Sequence, residues 1–122
     1  MCGIIGISSN KSVSANIINS LKKLEYRGYD SAGVATLSNG QINEIKSEGR
    51  VDNLEQNFDL KNLKGNIGIG HVRWATHGIP NSLNAHPHSS YNVSVVHNGI
   101  IENSTILKKH LVNKGHIFKS QT

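Results

Sequence analysis

Cys2 is the one cysteine of the 122-residue chain and stands directly behind Met1. A side chain as small as cysteine permits removal of Met1, which would leave Cys2 as the N-terminal residue. Its thiol would then lie beside its own α-amine, and both kinds of group titrate within about two units of neutrality. One residue would thereby supply a nucleophile and its base, the proton passing directly or through a water. The plain alternative is a small apolar side chain covered at the start of a strand. Arg73 is one of three arginines and is followed by the only tryptophan, Trp74. Its planar fork of donors suits a carboxylate, and by itself it reads equally as half of an ion pair. Asn98-Gly99 follows the apolar run Val93 to Val96 and precedes Ile100-Ile101. That setting separates it from Asn39-Gly40, which has polar alternation on both sides and reads as a hairpin turn.

The seven histidines invite a metal reading, above all His71, His86, His88 and His97. There is no second cysteine and no regular ligand spacing, so no metal is expected. Gly68-Ile69-Gly70 carries Arg73 where a dinucleotide loop needs its third glycine. That reading is rejected, and no organic cofactor is expected.

These residues need a scaffold, and the hydrophobic pattern predicts one. Gly3 to Ile7 reads as a short buried strand. Ser12 is the expected N-cap of a helix through Val13, Ile17, Ile18, Leu21 and Leu24, ending near Arg27-Gly28. Ala32 to Leu37 and Gln41 to Lys46 read as a hairpin about Asn39-Gly40, with Ile42 and Ile45 both turned inward. A short helix is expected over Val51 to Phe58 and a strand over Asn66 to Trp74. Ala75 to Asn92 is expected to be irregular; it holds both prolines, and loops this long are commonly functional. A strand over Asn92 to His97, a helix over Glu102 to Asn113 and a last strand from His116 to Lys119 complete the pattern. Hairpins interspersed with helices predict an α+β layered fold rather than a regular β-α-β winding.

Composition narrows the function classes. Lys and Arg number 13 against 8 Asp and Glu, a formal charge of +5. Asn, Ile and Lys make up 39 of the 122 residues, the bias that AAT, ATT and AAA codons of an A+T-rich genome produce. The lysines are scattered without interleaved aromatics, whereas a nucleic-acid surface is clustered; no nucleic-acid partner is expected. Leu, Ile, Val and Phe supply 33 residues, or 27%, enough to take the chain out of the disordered class. A single cysteine fits a reducing cytoplasm. No apolar run approaches the roughly 18 residues of a membrane helix, and Met1 to Ile7 lacks the basic segment and length of a signal peptide.

Taken in order, five strings carry a resemblance: Met-Cys-Gly-Ile-Ile-Gly-Ile from Met1, Glu25-Tyr26-Arg27-Gly28-Tyr29-Asp30-Ser31-Ala32-Gly33, His71-Val72-Arg73-Trp74-Ala75-Thr76-His77-Gly78, Asn84-Ala85-His86-Pro87-His88 and His97-Asn98-Gly99. Together they resemble the N-terminal glutaminase domain of the glutamine–fructose-6-phosphate aminotransferases, class II amidotransferases among the N-terminal-nucleophile hydrolases. Amidophosphoribosyltransferase, asparagine synthetase and glutamate synthase share the terminal Cys-Gly, but the Tyr-Arg-Gly-Tyr-Asp-Ser-Ala-Gly and Arg-Trp-Ala-Thr-His-Gly strings resemble the sugar enzyme.

The resemblance implies a four-layer α/β/β/α fold, of which residues 1–122 would be the N-terminal part, about the first half. It implies Cys2 as nucleophile, with the Asn98 side-chain amide and Gly99 N–H as oxyanion donors. Arg73 would take the α-carboxylate of glutamine, with Trp74, Thr76, His77, His86 and Gly99 as further contacts. Residues 73–80 would form a flap over the substrate, while His88 and His97 would be structural. Ammonia would pass to a sugar-phosphate isomerase region that uses fructose 6-phosphate, in an enzyme expected to be a dimer. That region lies outside these residues, as would the second half of the glutaminase domain. Unpaired strand edges and open apolar faces are therefore expected, and the rival reading is an inactive remnant or one half of a split enzyme completed by another polypeptide.

Overall fold

A computed structural model describes residues 1–122. The chain runs β1 (Gly3–Ser8), α1 (Ser14–Leu24), β2 (Ser31–Ser38), β3 (Gln41–Glu48), α2 (Asp52–Asn57), β4 (Ile67–Arg73), β5 (His88–Ser90), β6 (Val93–Val95) and α3 (Ser104–Asn113), with single 3-10 turns at Glu25–Arg27 and Leu60–Asn62. Four strands form an antiparallel sheet in the order β1-β4-β2-β3, and β5-β6 is a separate hairpin.

The register decides which side chains share a face, because successive residues of a strand alternate. Val72 pairs with both Gly3 and Ala32, and Gly70 with both Ile5 and Val34. These residues face α1 and α2 in a core of Val13, Ile17, Ile18, Leu21, Ala32, Val34, Val51, Leu54, Leu63 and Val72. Gly68 and Gly70 let α1 settle onto β4, since a Cβ at either would lie 2.6 Å from an Ile17 methyl.

His71 and Arg73 point to the opposite face, which also carries Ile4, Ala35, Leu37, Ile42, Ile67 and Ile69 by register. The β5-β6 hairpin lies against this face, leaving a cleft of about 170 Å³ lined in part by Leu37, Ile42, Ile67, Ile69 and Ser94. Gly33 permits the approach: a Cβ there would stand 2.2 Å from the backbone oxygen of His86.

Several expectations are corrected. Helix α1 is capped at Val13, with no side-chain cap from Ser12; the backbone turn there is tied instead by Val13 N–H to Gly65 O at 3.0 Å. Ile42 and Ile45 are three apart on one strand and so face opposite sides; only Ile45 packs against the core. Residues 88–90, expected to be irregular, pair with β6. His116 to Lys119 form no strand, and no strand pairs with them. Helix α3 forms as expected but buries none of its residues. No helix is long and apolar enough to cross a membrane.

Candidate active site

The site lies at the end of β4 where it meets the start of β1. Cys2 stands one residue before Gly3 and Trp74 two residues after its partner Val72, so the sheet register brings the thiol close to the backbone of residue 74. The Trp74 N–H donates to Cys2 Sγ at 3.2 Å, and the thiol lies 3.5 Å from the Trp74 carbonyl oxygen. The Cys2 carbonyl oxygen accepts from Asn98 Nδ2 at 3.2 Å. Residues 2, 74 and 98 thus meet across 72 and 96 positions of sequence. Met1 is present in this chain, and its amino group donates to the Arg27 carbonyl at 2.9 Å.

Asn98 is held from its other side by His71, whose Nε2 lies 2.7 Å from Asn98 Oδ1. His71 is buried in the sheet, and burial, partly offset by the Asn98 hydrogen bond, lowers its pKa from the usual imidazole value. The His86 ring stacks on it with centroids 4.5 Å apart, and His88 lies 4.5 Å beyond His86 at a tilted angle. Burial first, then the neighbouring His71 and His88, pushes the His86 pKa down to about 3. His86 Nδ1 accepts the His97 backbone N–H at 3.3 Å, as a neutral ring can. The imidazoles stack instead of converging, and no group of three His, Cys, Asp or Glu side chains is placed to hold a metal ion.

Arg73 is buried, and its two terminal nitrogens are fully engaged. Nη1 reaches Asp30 Oδ1 at 3.5 Å and donates to the Ile79 carbonyl at 3.3 Å. Nη2 donates to the carbonyls of His77 and Gly78, the latter at 3.0 Å. Four acceptors meet the four N–H groups of the fork, so the face expected to receive a carboxylate is closed by the backbone of residues 77–79. Asp30 supports the same turn, accepting from the Ala75 N–H and, at 2.8 Å, from the Ser31 hydroxyl.

Thr76 and His77 are exposed, apart from Cys2 and Asn98 in their hydrogen bonding. His77 Nε2 lies 3.1 Å from the Gln121 carbonyl. Buried Asn84 joins the same loop to residues 121–122: its amide donates to Ile79 O and Gln121 Oε1, both at 2.9 Å, and its oxygen accepts the Gln121 N–H at 2.7 Å. Gly99 is exposed with φ 149°, next in sequence to the residue that touches Cys2. Cys2, Trp74 and Asn98 are therefore brought together, His86 reaches them through His71, and Thr76 and His77 remain on the loop beyond. Asp30 and His71 were missed as site residues. Asp30 had a signal, an acidic residue inside a string rich in glycine and aromatics, but its partner lies 43 positions away.

No family model matches the chain. Among curated proteins it is 57% identical over 124 aligned residues to a glutamine–fructose-6-phosphate aminotransferase (isomerizing) of Clostridium acetobutylicum, 55% to one of Mesorhizobium japonicum and 54% to one of Pyrococcus horikoshii. Each match covers the whole of this chain, and the chain spans about a fifth of the length of these relatives. Among solved structures, glutamine phosphoribosylpyrophosphate amidotransferase from B. subtilis matches all of the chain with TM-score 0.83 and 30% identity over 27% of its own length. A structure described as the allosteric regulatory enzyme of purine biosynthesis matches 98% of the chain with TM-score 0.81 and 29% identity, again over 27% of its own length. Identity across the whole chain and the shared architecture agree: the chain is similar throughout to the N-terminal domain of the glutamine–fructose-6-phosphate aminotransferases and has the fold of the N-terminal-nucleophile amidotransferases.

Proposed function

We propose that residues 1–122 are the N-terminal part of a glutaminase domain that hydrolyses glutamine through a thioester on Cys2. The observation that carries this reading is the meeting of Cys2 Sγ with the Trp74 N–H at 3.2 Å while Asn98 Nδ2 reaches the Cys2 carbonyl at 3.2 Å. A nucleophile and an amide donor thus share one small region.

After removal of Met1, the Cys2 α-amine takes the thiol proton as sulfur attacks the glutamine carboxamide carbon. The oxygen of that group becomes an oxyanion, held by Asn98 Nδ2 and Gly99 N–H; losing one such donor costs about 100–1,000-fold in rate. The C–N bond breaks, the amine returns its proton to the leaving nitrogen, and ammonia departs. Water then cleaves the thioester to glutamate. Nucleophile, base and oxyanion donors all come from the chain, so the step calls on no metal or organic cofactor. Trp74, Thr76, His77 and His86 shape the glutamine pocket. Arg73 takes the α-carboxylate once the carbonyls of residues 77–79 leave its fork, which makes the 73–80 loop the flap. Ammonia serves glucosamine 6-phosphate formation from fructose 6-phosphate in a sugar-phosphate region beyond these residues, in a dimeric enzyme of the cytoplasm. Identities of 54–57% to the sugar enzymes against 30% to the phosphoribosyl enzyme favour this acceptor.

Intact mass, glutamate release and glutamine-protected alkylation of Cys2 test the reading. Loss of Met1, release by the wild-type chain and no release by Cys2→Ala are expected. Retention of Met1, or equal release by Cys2→Ala, overturns it.

A second reading has its own observation. Ile4, Ile67, Val93 and Val95 are each between 42% and 56% exposed, and helix α3 buries none of its residues. Apolar surface of this kind marks an interaction face, so a second polypeptide would complete the layers. A cooperative thermal transition of the pure monomer defeats this second reading.

A further inference from the structure

We infer that His71 is a positioning residue for the glutaminase reaction, fixing the rotation of the Asn98 carboxamide so that its N–H₂ group points toward Cys2. The inference rests on the glutaminase reading above and adds a residue to it.

The carboxamide of Asn98 has one oxygen and one nitrogen end, and turning it over would present an acceptor to a developing oxyanion instead of a donor. In this structure the nitrogen end faces Cys2, 3.2 Å from its carbonyl oxygen. The oxygen end can only accept a hydrogen bond, and the group placed to donate one is His71 Nε2 at 2.7 Å. His71 is therefore protonated at Nε2. Its Nδ1 is buried with no hydrogen-bond partner at all, which a bare lone pair tolerates better than a charged N–H would. Burial also favours the neutral ring.

The ring is well held for such a role. It projects from the middle of the four-stranded sheet, where His71 pairs with Ile4 on one side and Gly33 on the other. His86 stacks over it at 4.5 Å. Asn98, by contrast, lies on an exposed segment outside any strand. A rigid donor in the sheet thus orients a mobile class of side chain on a loop, the arrangement a preorganised site needs.

Two substitutions separate this role from mere packing. Gln places its amide nitrogen near the position of histidine Nε2, whereas Asn places its own near Nδ1. In the full chain freed of Met1, His71→Gln should keep kcat for glutamine hydrolysis within about threefold of wild type. His71→Asn should lower kcat by about 10–100-fold, less than full loss of a donor, with KM moved far less. Equal activity of both variants, or a loss confined to KM, overturns the inference while leaving the glutaminase reading intact. A wild-type chain without glutamine hydrolysis overturns that reading and this inference with it. Should His71→Asn fail to fold, the imidazole 15N spectrum of the wild-type chain decides: an Nε2–H tautomer is expected, and an Nδ1–H tautomer or a doubly protonated ring at neutral pH overturns the proposal.

Discussion

The carboxylate of Asp30 and the guanidinium of Arg73 lie 3.5 Å apart with 15% and 5% of their side chains exposed. Asp30 precedes β2 and Arg73 ends β4, so this pair closes the corner of the sheet from which the 74–80 loop departs. Arg73 spends its remaining terminal N–H groups on three consecutive loop carbonyls. The loop is thereby shaped by a charge that the sheet has buried, and Asp30 is the one anion that neutralises it.

Removing Asp30 should therefore cost far more than losing a surface ion pair. Leaving one member of a buried pair unpartnered costs about 3–5 kcal/mol, and Asp30→Ala also strands the Ala75 N–H. The expected result is a large fall in urea midpoint. The double variant Asp30→Ala with Arg73→Met should recover much of the loss, because no charge then remains buried alone. A midpoint for Asp30→Ala close to wild type would show that solvent reaches Arg73 freely.

The uneven legibility of the sequence has a physical basis. The β1–α1–β2–β3–α2–β4 half was readable because its apolar periods are long and are answered by real neighbours: Ile17 and Leu21 meet the glycines of β4. A spacing of three suits one face of a helix but opposite faces of a strand. Once residues 41–48 are a strand, Ile42 and Ile45 cannot share a side, and the pairing of Ile45 with the core residue Val34 settles which of them turns inward. Strand β5 was hidden because His88, Ser89 and Ser90 carry no apolar alternation and are strand only through β6. The His116 to Lys119 segment shows the reverse, a strand-like string without a pairing partner. In the site, Cys2 and Asn98 were legible by their chemistry. Asp30 and His71 act through Arg73 and Asn98, and nothing in local spacing joins residues 43 or 27 positions apart.

The histidine stack predicts how stability depends on pH. His71, His86 and His88 all have pKa values lowered chiefly by burial, His86 to about 3. His86 also feels the positive groups of Arg73 and Lys46, besides its two histidine neighbours. In the unfolded chain these rings return to about 6.5. Between that value and about 3 the unfolded state binds protons that folded His86 declines, so stability falls as pH drops through this window. Urea midpoints should decline between pH 7.5 and pH 5, above the range where ordinary carboxylates titrate. His86→Phe should flatten that slope, and an unchanged slope in the variant would remove His86 from the account.

Gly33→Ala should disturb the site from a position that touches neither Cys2 nor Asn98. The added Cβ would stand 2.2 Å from the His86 carbonyl oxygen and 2.9 Å from Lys46 Cγ. The lysine carbon can swing aside, but the carbonyl belongs to backbone held between a stacked ring and strand β5. The segment 86–88 must therefore lift from the sheet, loosening the His71–His86 stack and the bond from His97 N–H to His86 Nδ1. Overpacking of this kind costs about 1–3 kcal/mol. Gly6→Ala is the matched control: Gly6 shares the same face of the sheet, and its added Cβ would meet its nearest neighbour, Ile69 Cγ2, at an ordinary 4.0 Å. Gly6→Ala should leave the urea midpoint nearly unchanged, while Gly33→Ala lowers it and shifts the His71 and His86 imidazole resonances. Equal midpoints for the two variants would mean that residues 86–88 are not pressed against β2.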